Sequence, residues 1–159
     1  MASYSISSTA AIATGLLGSA WMSGAIASIS LVGIPVALKT PGSPALIWRG
    51  LYSHGVALMP KIAVATALSY SYASYSSRGQ SVSRPYLVAA GLVVSIIPFT
   101  LLFMSSTNAA LMEAASGASS LDGAQISDLI KKWGLLNMVR SLFPLAGGVV
   151  AFTGLWSNV

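Results

Sequence analysis

The first charged side chain in this sequence is Lys39; the residues before it hold none. A helix that faces water needs a polar face, and this stretch offers little beyond hydroxyls. The same poverty runs through the chain. Only 7% of its residues are charged, against roughly 25% in a soluble domain, 55% are hydrophobic and the mean hydropathy is +0.77. Eight basic and three acidic side chains in 159 residues cannot clothe a soluble bundle. Lipid is the solvent this composition fits.

About 20 apolar residues cross a bilayer core, and four stretches meet that length. The expected fold is an all-α, integral membrane four-helix bundle, one transmembrane domain over 1–159, with helices near 10–38, 45–75, 86–110 and 128–156. Gly33 and Pro35 end or bend the first helix, and Lys39-Thr-Pro-Gly-Ser-Pro reads as a turn. Pro85 suits the first turn of the third helix, where its missing N–H is unpaired anyway. Ser127 or Asp128 would cap the fourth. With no Lys or Arg ahead of its apolar run, the first segment reads as a retained helix and not a secretory signal. Two small-residue rows on it, Ala20, Gly24, Ser28 and Ser19, Ser23, Ala27, would let helices approach closely, and self-association stays open. The basic residues of the first and third loops (Lys39, Arg49, Lys131, Lys132) outnumber Arg78 and Arg84 of the second, which points the former to the cytoplasm.

The net charge of +5 does not mark a nucleic-acid partner. The basic residues are scattered, with no stripe of interleaved aromatics. The absence of cysteine removes disulfides, thiolate metal sites and Cys nucleophiles. Nucleotide-binding glycine motifs are missing. One histidine and three acids cannot build a two-histidine-carboxylate iron site, so no metal site is expected.

Polar groups inside a membrane are costly and mark function. Up-down topology gathers the start of helix two (Arg49, Tyr52, His54), the end of helix three (Asn108, then Glu113) and the start of helix four (Trp133, Asn137, Arg140) at one end of the bundle. Trp133, Asn137 and Arg140 share one helix face by their spacing. His54 and Lys61 share another, about 10 Å apart along the axis. Both ladders are expected to point into one interior cavity. Plainer readings stand beside these. Arg49, Lys131 and Lys132 snorkel to headgroups. Trp133 anchors at the interface. Asn108 and Asn137 link helices. Tyr70, Tyr72 and Tyr75 form an aromatic belt, and Met22, Met59, Met104 and Met112 pack. Lys61 and Arg140 lie too far from a helix end to snorkel easily.

These segments resemble the anthrone oxygenase family of small four-helix membrane proteins. The resemblance rests on Arg49-Gly-Leu-Tyr-Ser-His-Gly, on Thr107-Asn108, and above all on the W-x-x-x-N-x-x-R pattern of Trp133, Asn137 and Arg140. It runs from helix two to the C-terminus. Membership implies oxidation of an anthrone, an aromatic polyketide, to an anthraquinone with O₂ and without flavin, haem or metal. The expected location is the endoplasmic reticulum or another internal membrane. That chemistry needs a base, a site for a developing anion and a dry aromatic slot. His54 is the first candidate base, since imidazole suits proton removal near neutrality. Lys61 is the alternative, since an amine kept from water yields its proton more readily. Arg140 and Asn137 would hold the enolate oxygen and superoxide, and Tyr52, Phe103, Asn108 and Trp133 would line the substrate slot. The rival class is a membrane scaffold or a carrier of hydrophobic metabolites.

Overall fold

A computed structural model describes residues 5–156. Every described element is helical. Four long helices form an antiparallel bundle: α1, Ile6–Lys39; α2, Pro44–Ser76; α3, Ser83–Ser116; and α4, Gly123–Trp156. α1, α3 and α4 are each long and apolar enough to cross a membrane. α2 is as long, at 33 residues, but carries Arg49, His54, Lys61 and a serine- and tyrosine-rich end. It packs with the others all the same and turns Leu68 outward, as α1 turns Leu17, α3 Leu102 and α4 Leu135. Large apolar side chains turned outward are the arrangement lipid favours.

The helix ends follow local chemistry. α1 starts ahead of the expected position because the Ser8 N–H donates to Ser5 Oγ at 3.2 Å. Ser127 and Asp128 do not cap α4. Asp122 does, in a reciprocal box: the Gln125 N–H donates to Asp122 Oδ1 at 2.8 Å, and the Asp122 N–H to Gln125 Oε1 at 3.0 Å. α3 outruns its expected end because Leu111 and Ala115 are buried, and it stops at Gly117, whose φ of 79° a side chain would strain.

Two helices contain a widened, π-type turn. In α1 it is Ile29–Gly33, after which the helix resumes as Ile34–Lys39. In α3 it is Thr100–Met104, between Ile96–Phe99 and Ser105–Ser116. Each adjoins a proline, Pro35 or Pro98. Pro35 lacks an N–H and crowds the carbonyl one turn back, inside the first widened turn, which relieves that; Pro98 precedes the second and acts on its own N-terminal side, where the helix is interrupted at Ser95. Gly33 and Pro35 therefore widen α1 instead of ending it.

The two ends of the bundle have separate cores. At the end holding the start of α1 and the end of α2, Tyr70 is fully buried and its hydroxyl lies 3.1 Å from Ser19 Oγ. The expected tyrosine belt thus loses Tyr70, while Tyr72 and Tyr75 are exposed as expected. A side chain at Gly15 would run into the Tyr70 ring, and one at Gly147 would come within 3.1 Å of the Ala89 carbonyl oxygen. Of the two small-residue rows on α1, Ser19 and Ser23 face the bundle, while Ala20, Gly24 and Ser28 face out. At the other end Trp48, Trp133, Ile34, Met104, Leu111 and Ile130 form the core.

Candidate functional site

The second core carries a polar chain along one face of α4. Trp133 Nε1–H donates to Asn108 Oδ1 at 2.8 Å. One turn on, fully buried Asn137 donates from Nδ2 to the Ile26 carbonyl at 2.8 Å and to Ser30 Oγ at 2.9 Å. Its Oδ1 accepts from Arg140 Nη2 at 2.8 Å, and Arg140 Nη1 donates to Thr100 Oγ1 at 3.0 Å. Ser30 belongs to the widened turn of α1 and Thr100 opens that of α3. The spacing of 133, 137 and 140 does place one face inward, and both π-type turns meet it. Such turns recur at functional sites.

Two features of the chain look beyond structure. Arg140 has no carboxylate partner among the described residues. Its Nε is buried and makes no hydrogen bond, although native folds pair nearly all such groups. Trp48 Nε1 is buried and unpaired in the same way. The Trp48 ring stacks on Tyr52, with centroids 5.0 Å apart and planes 10° apart, and meets the edge of Trp133 at 5.8 Å. Tyr52, Trp133, Thr100 and Arg140 enclose a cavity of about 20 Å³. Beside it a cleft of about 110 Å³ lies between α2 and α3, bordered by Arg140, Thr100, Met59 and Ile97.

The second ladder does not join this interior. His54 is exposed and borders an apolar groove of about 360 Å³ between α1 and α2, with Trp21, Ala25 and Leu58. Its Nδ1 lies 2.9 Å from the Gly50 carbonyl. A carbonyl can only accept, so Nδ1 is the donor of this hydrogen bond. Lys61 is exposed farther along α2, beside an open hollow of about 730 Å³ with Thr14 and Ser69. The expectation of one shared cavity fails because α2 turns both residues away from α4. Phe103 is 59% exposed and leans on Phe99 at 5.0 Å, and it lines none of these four spaces. Asn108 is occupied by Trp133. Arg49 is exposed, with Nη1 3.5 Å from the Ala115 carbonyl.

Three contributors escaped the sequence reading: Trp48, Ser30 and Thr100. Ser30 and Thr100 are isolated hydroxyls in apolar runs, the signal that a span has a polar partner nearby. Trp48 stands four residues before Tyr52, the spacing of stacked neighbours on a helix.

A family model described as anthrone oxygenase matches residues 48–150, from the buried Trp48 through most of α4. An anthrone oxygenase of Paecilomyces divaricatus is 39% identical over 159 residues, covering 94% of this chain and 97% of that protein. An anthrone oxygenase of Claviceps purpurea is 38% identical over 151 residues, covering 90% and 87%. A noranthrone monooxygenase of Aspergillus flavus is 34% identical over 149 residues, covering 87% and 70%. No solved structure matches the chain.

Proposed function

This chain belongs to the anthrone oxygenase family, and we propose on that premise that it is a membrane enzyme of aromatic polyketide biosynthesis, converting an anthrone to an anthraquinone with O₂ and no cofactor. The observation that carries the reading is Arg140: an interior cation without a carboxylate partner among the described residues, fixed by Asn137 and Thr100, with one buried N–H to spare.

The substrate makes a cofactor dispensable. An anthrone has an acidic methylene opposite a ring carbonyl. His54 Nε2 takes one methylene proton, and the charge spreads to the carbonyl oxygen. The anion passes one electron to O₂, giving a carbon radical and superoxide. Their combination, with a proton returned from His54, gives a hydroperoxide. Removal of the second C–H proton breaks the O–O bond, so one oxygen stays as the new carbonyl and the other leaves as water. Arg140 stabilises negative charge at the enolate oxygen. A donor aimed at developing charge in a dry site is worth about 10²–10³ in rate. Asn137 spends both amide hydrogens on α1 and its oxygen on Arg140, so it acts as a positioning residue. Trp48, Tyr52 and Trp133 give the interior an aromatic wall. Lys61 is the alternative base.

The hydrophobic substrate would reach the grooves from the bilayer, and an internal membrane such as the endoplasmic reticulum suits that supply. Oxygen uptake by the purified protein given an anthrone tests the reading. One O₂ consumed per quinone formed, without added flavin, haem or metal, is expected. Binding of the anthrone with no oxygen uptake would make the chain a carrier. Loss of activity to a chelator, restored by one metal, would refute the cofactor-free route.

A further inference from the structure

His54 and Arg140 occupy different spaces, one outside α2 and one within the bundle. Gly55 borders all three: the outer groove with His54, the cleft between α2 and α3, and the inner cavity with Arg140 and Tyr52. No other described residue borders all three. Its lack of a side chain has no packing reason, because a Cβ built there meets nothing within 4 Å. Nor has it a conformational one, since its φ is not positive. Glycine inside a helix is destabilising relative to alanine. At Gly15 and Gly147 close neighbours explain that cost; Gly55 has open space beside it, as Gly24, Gly50 and Gly91 do, and differs from those in bordering all three spaces.

We propose that Gly55 is a specificity-determining position: the bare stretch of α2 across which a flat, fused-ring anthrone lies, its methylene toward His54 and its carbonyl toward Arg140. This rests on the anthrone oxygenase reading and deepens it. The methylene and the carbonyl lie on opposite edges of the central ring. A base for one and a cation for the other must therefore stand a ring's width apart, on either side of whatever surface carries the ring. The outer groove has the volume of a small-molecule site, and the inner cavity has room for little more than a carbonyl oxygen or a dioxygen. A side chain at 55 would stand where the ring passes.

The test is the series Gly55→Ala, Gly55→Val and Gly55→Leu in detergent-purified protein. Two readouts are steady-state oxidation and anaerobic binding of the anthraquinone product, followed by quenching of tryptophan fluorescence. Gly55→Ala should melt at or above the wild-type temperature. kcat/KM should fall stepwise, by about 10-fold for Ala and 100-fold or more for Leu, the scale on which filled pockets reject a substrate. Quinone affinity should fall in parallel. A folded Gly55→Leu protein with wild-type kcat, KM and quinone affinity overturns the proposal. If wild-type protein binds the quinone but oxidises no anthrone, the enzymatic reading fails, and the binding series still decides whether ligand crosses Gly55.

Discussion

The two ends of this bundle solve the same packing problem in opposite ways. Where α1 begins and α4 ends, glycine and serine let helices touch: Gly15 receives the Tyr70 ring, Gly147 sits against the backbone of Ala89, and Gly154 against Pro85. Helix turns are regular there, and the Tyr70 hydroxyl finds Ser19. At the other end two helices widen by a π-type turn, large aromatic rings replace small residues, and a small inner cavity and unpaired N–H groups remain. With little hydrophobic drive between helices in lipid, close contact and hydrogen bonds supply association. The tight end can hold the bundle together, which leaves the loose end free to keep space and an uncompensated cation. Substitutions at the loose end should therefore cost rate, and those at the tight end should cost stability.

His54→Ala gives the largest expected effect. Loss of a general base costs about 10²–10⁴ in rate, and the exposed ring's hydrogen bond is to a carbonyl of its own helix, so melting should barely change. A folded His54→Ala protein at the wild-type rate would pass the base to Lys61, for which Lys61→Ala is the check. Arg140→Ala comes next, with kcat lower by about 10²–10³. Arg140→Lys should recover only part of this, since an ammonium cannot hold Asn137 Oδ1 and Thr100 Oγ1 in one planar fork. Full activity in Arg140→Lys would mean that charge alone is needed.

Gly147→Leu probes the tight end. Its side chain would meet the Ala89 carbonyl oxygen at 3.1 Å and Val93 Cγ2 at 3.2 Å, and a backbone oxygen cannot turn aside. Overpacking of this kind costs about 1–3 kcal/mol. The melting temperature should drop, while kcat per folded molecule stays near wild type. A rate loss as large as that of Arg140→Ala would show that the ends are not separable.

The contrast between the ends was only half legible in the sequence. Helix number, lipid as solvent and the gathering of Trp133, Asn137 and Arg140 follow from apolar length and from spacing along a helix, which are local properties. The direction in which α2 faces is not local. Its apolar and polar residues are mixed around the axis, so period alone could not turn His54 and Lys61 away from α4. Tyr70 misled for a related reason: a tyrosine near a helix end reads as an interfacial anchor unless Gly15 and Ser19 on another helix are known to receive it. The widened turns were hidden too. Pro35 and Pro98 announce a disturbed helix, but whether it ends, kinks or widens depends on partners such as Asn137 and Arg140 across the bundle.

Tyr70→Phe is the smallest expected effect and the sharpest test of the division. The substitution keeps the ring in the slot that Gly15 leaves for it and removes only the hydroxyl 3.1 Å from Ser19 Oγ. A hydrogen bond between membrane helices is worth about 0.6 kcal/mol on average and 1.7 at most. The true loss should sit near the lower figure, because an orphaned serine hydroxyl can turn to a carbonyl one turn back on its own helix. Thermal unfolding in detergent should show a small drop. Oxidation kinetics should show none, because Tyr70 lies about 27 Å along α2 from Tyr52 at 1.5 Å per residue. A tenfold lower kcat in a protein of near-normal stability would break the comparison. It would mean that the closeness of α1 and α2 at Ser19 and Tyr70 sets how far apart they stand at Ile29 and Gly55, so that the tight end shapes the groove as well as holding the fold.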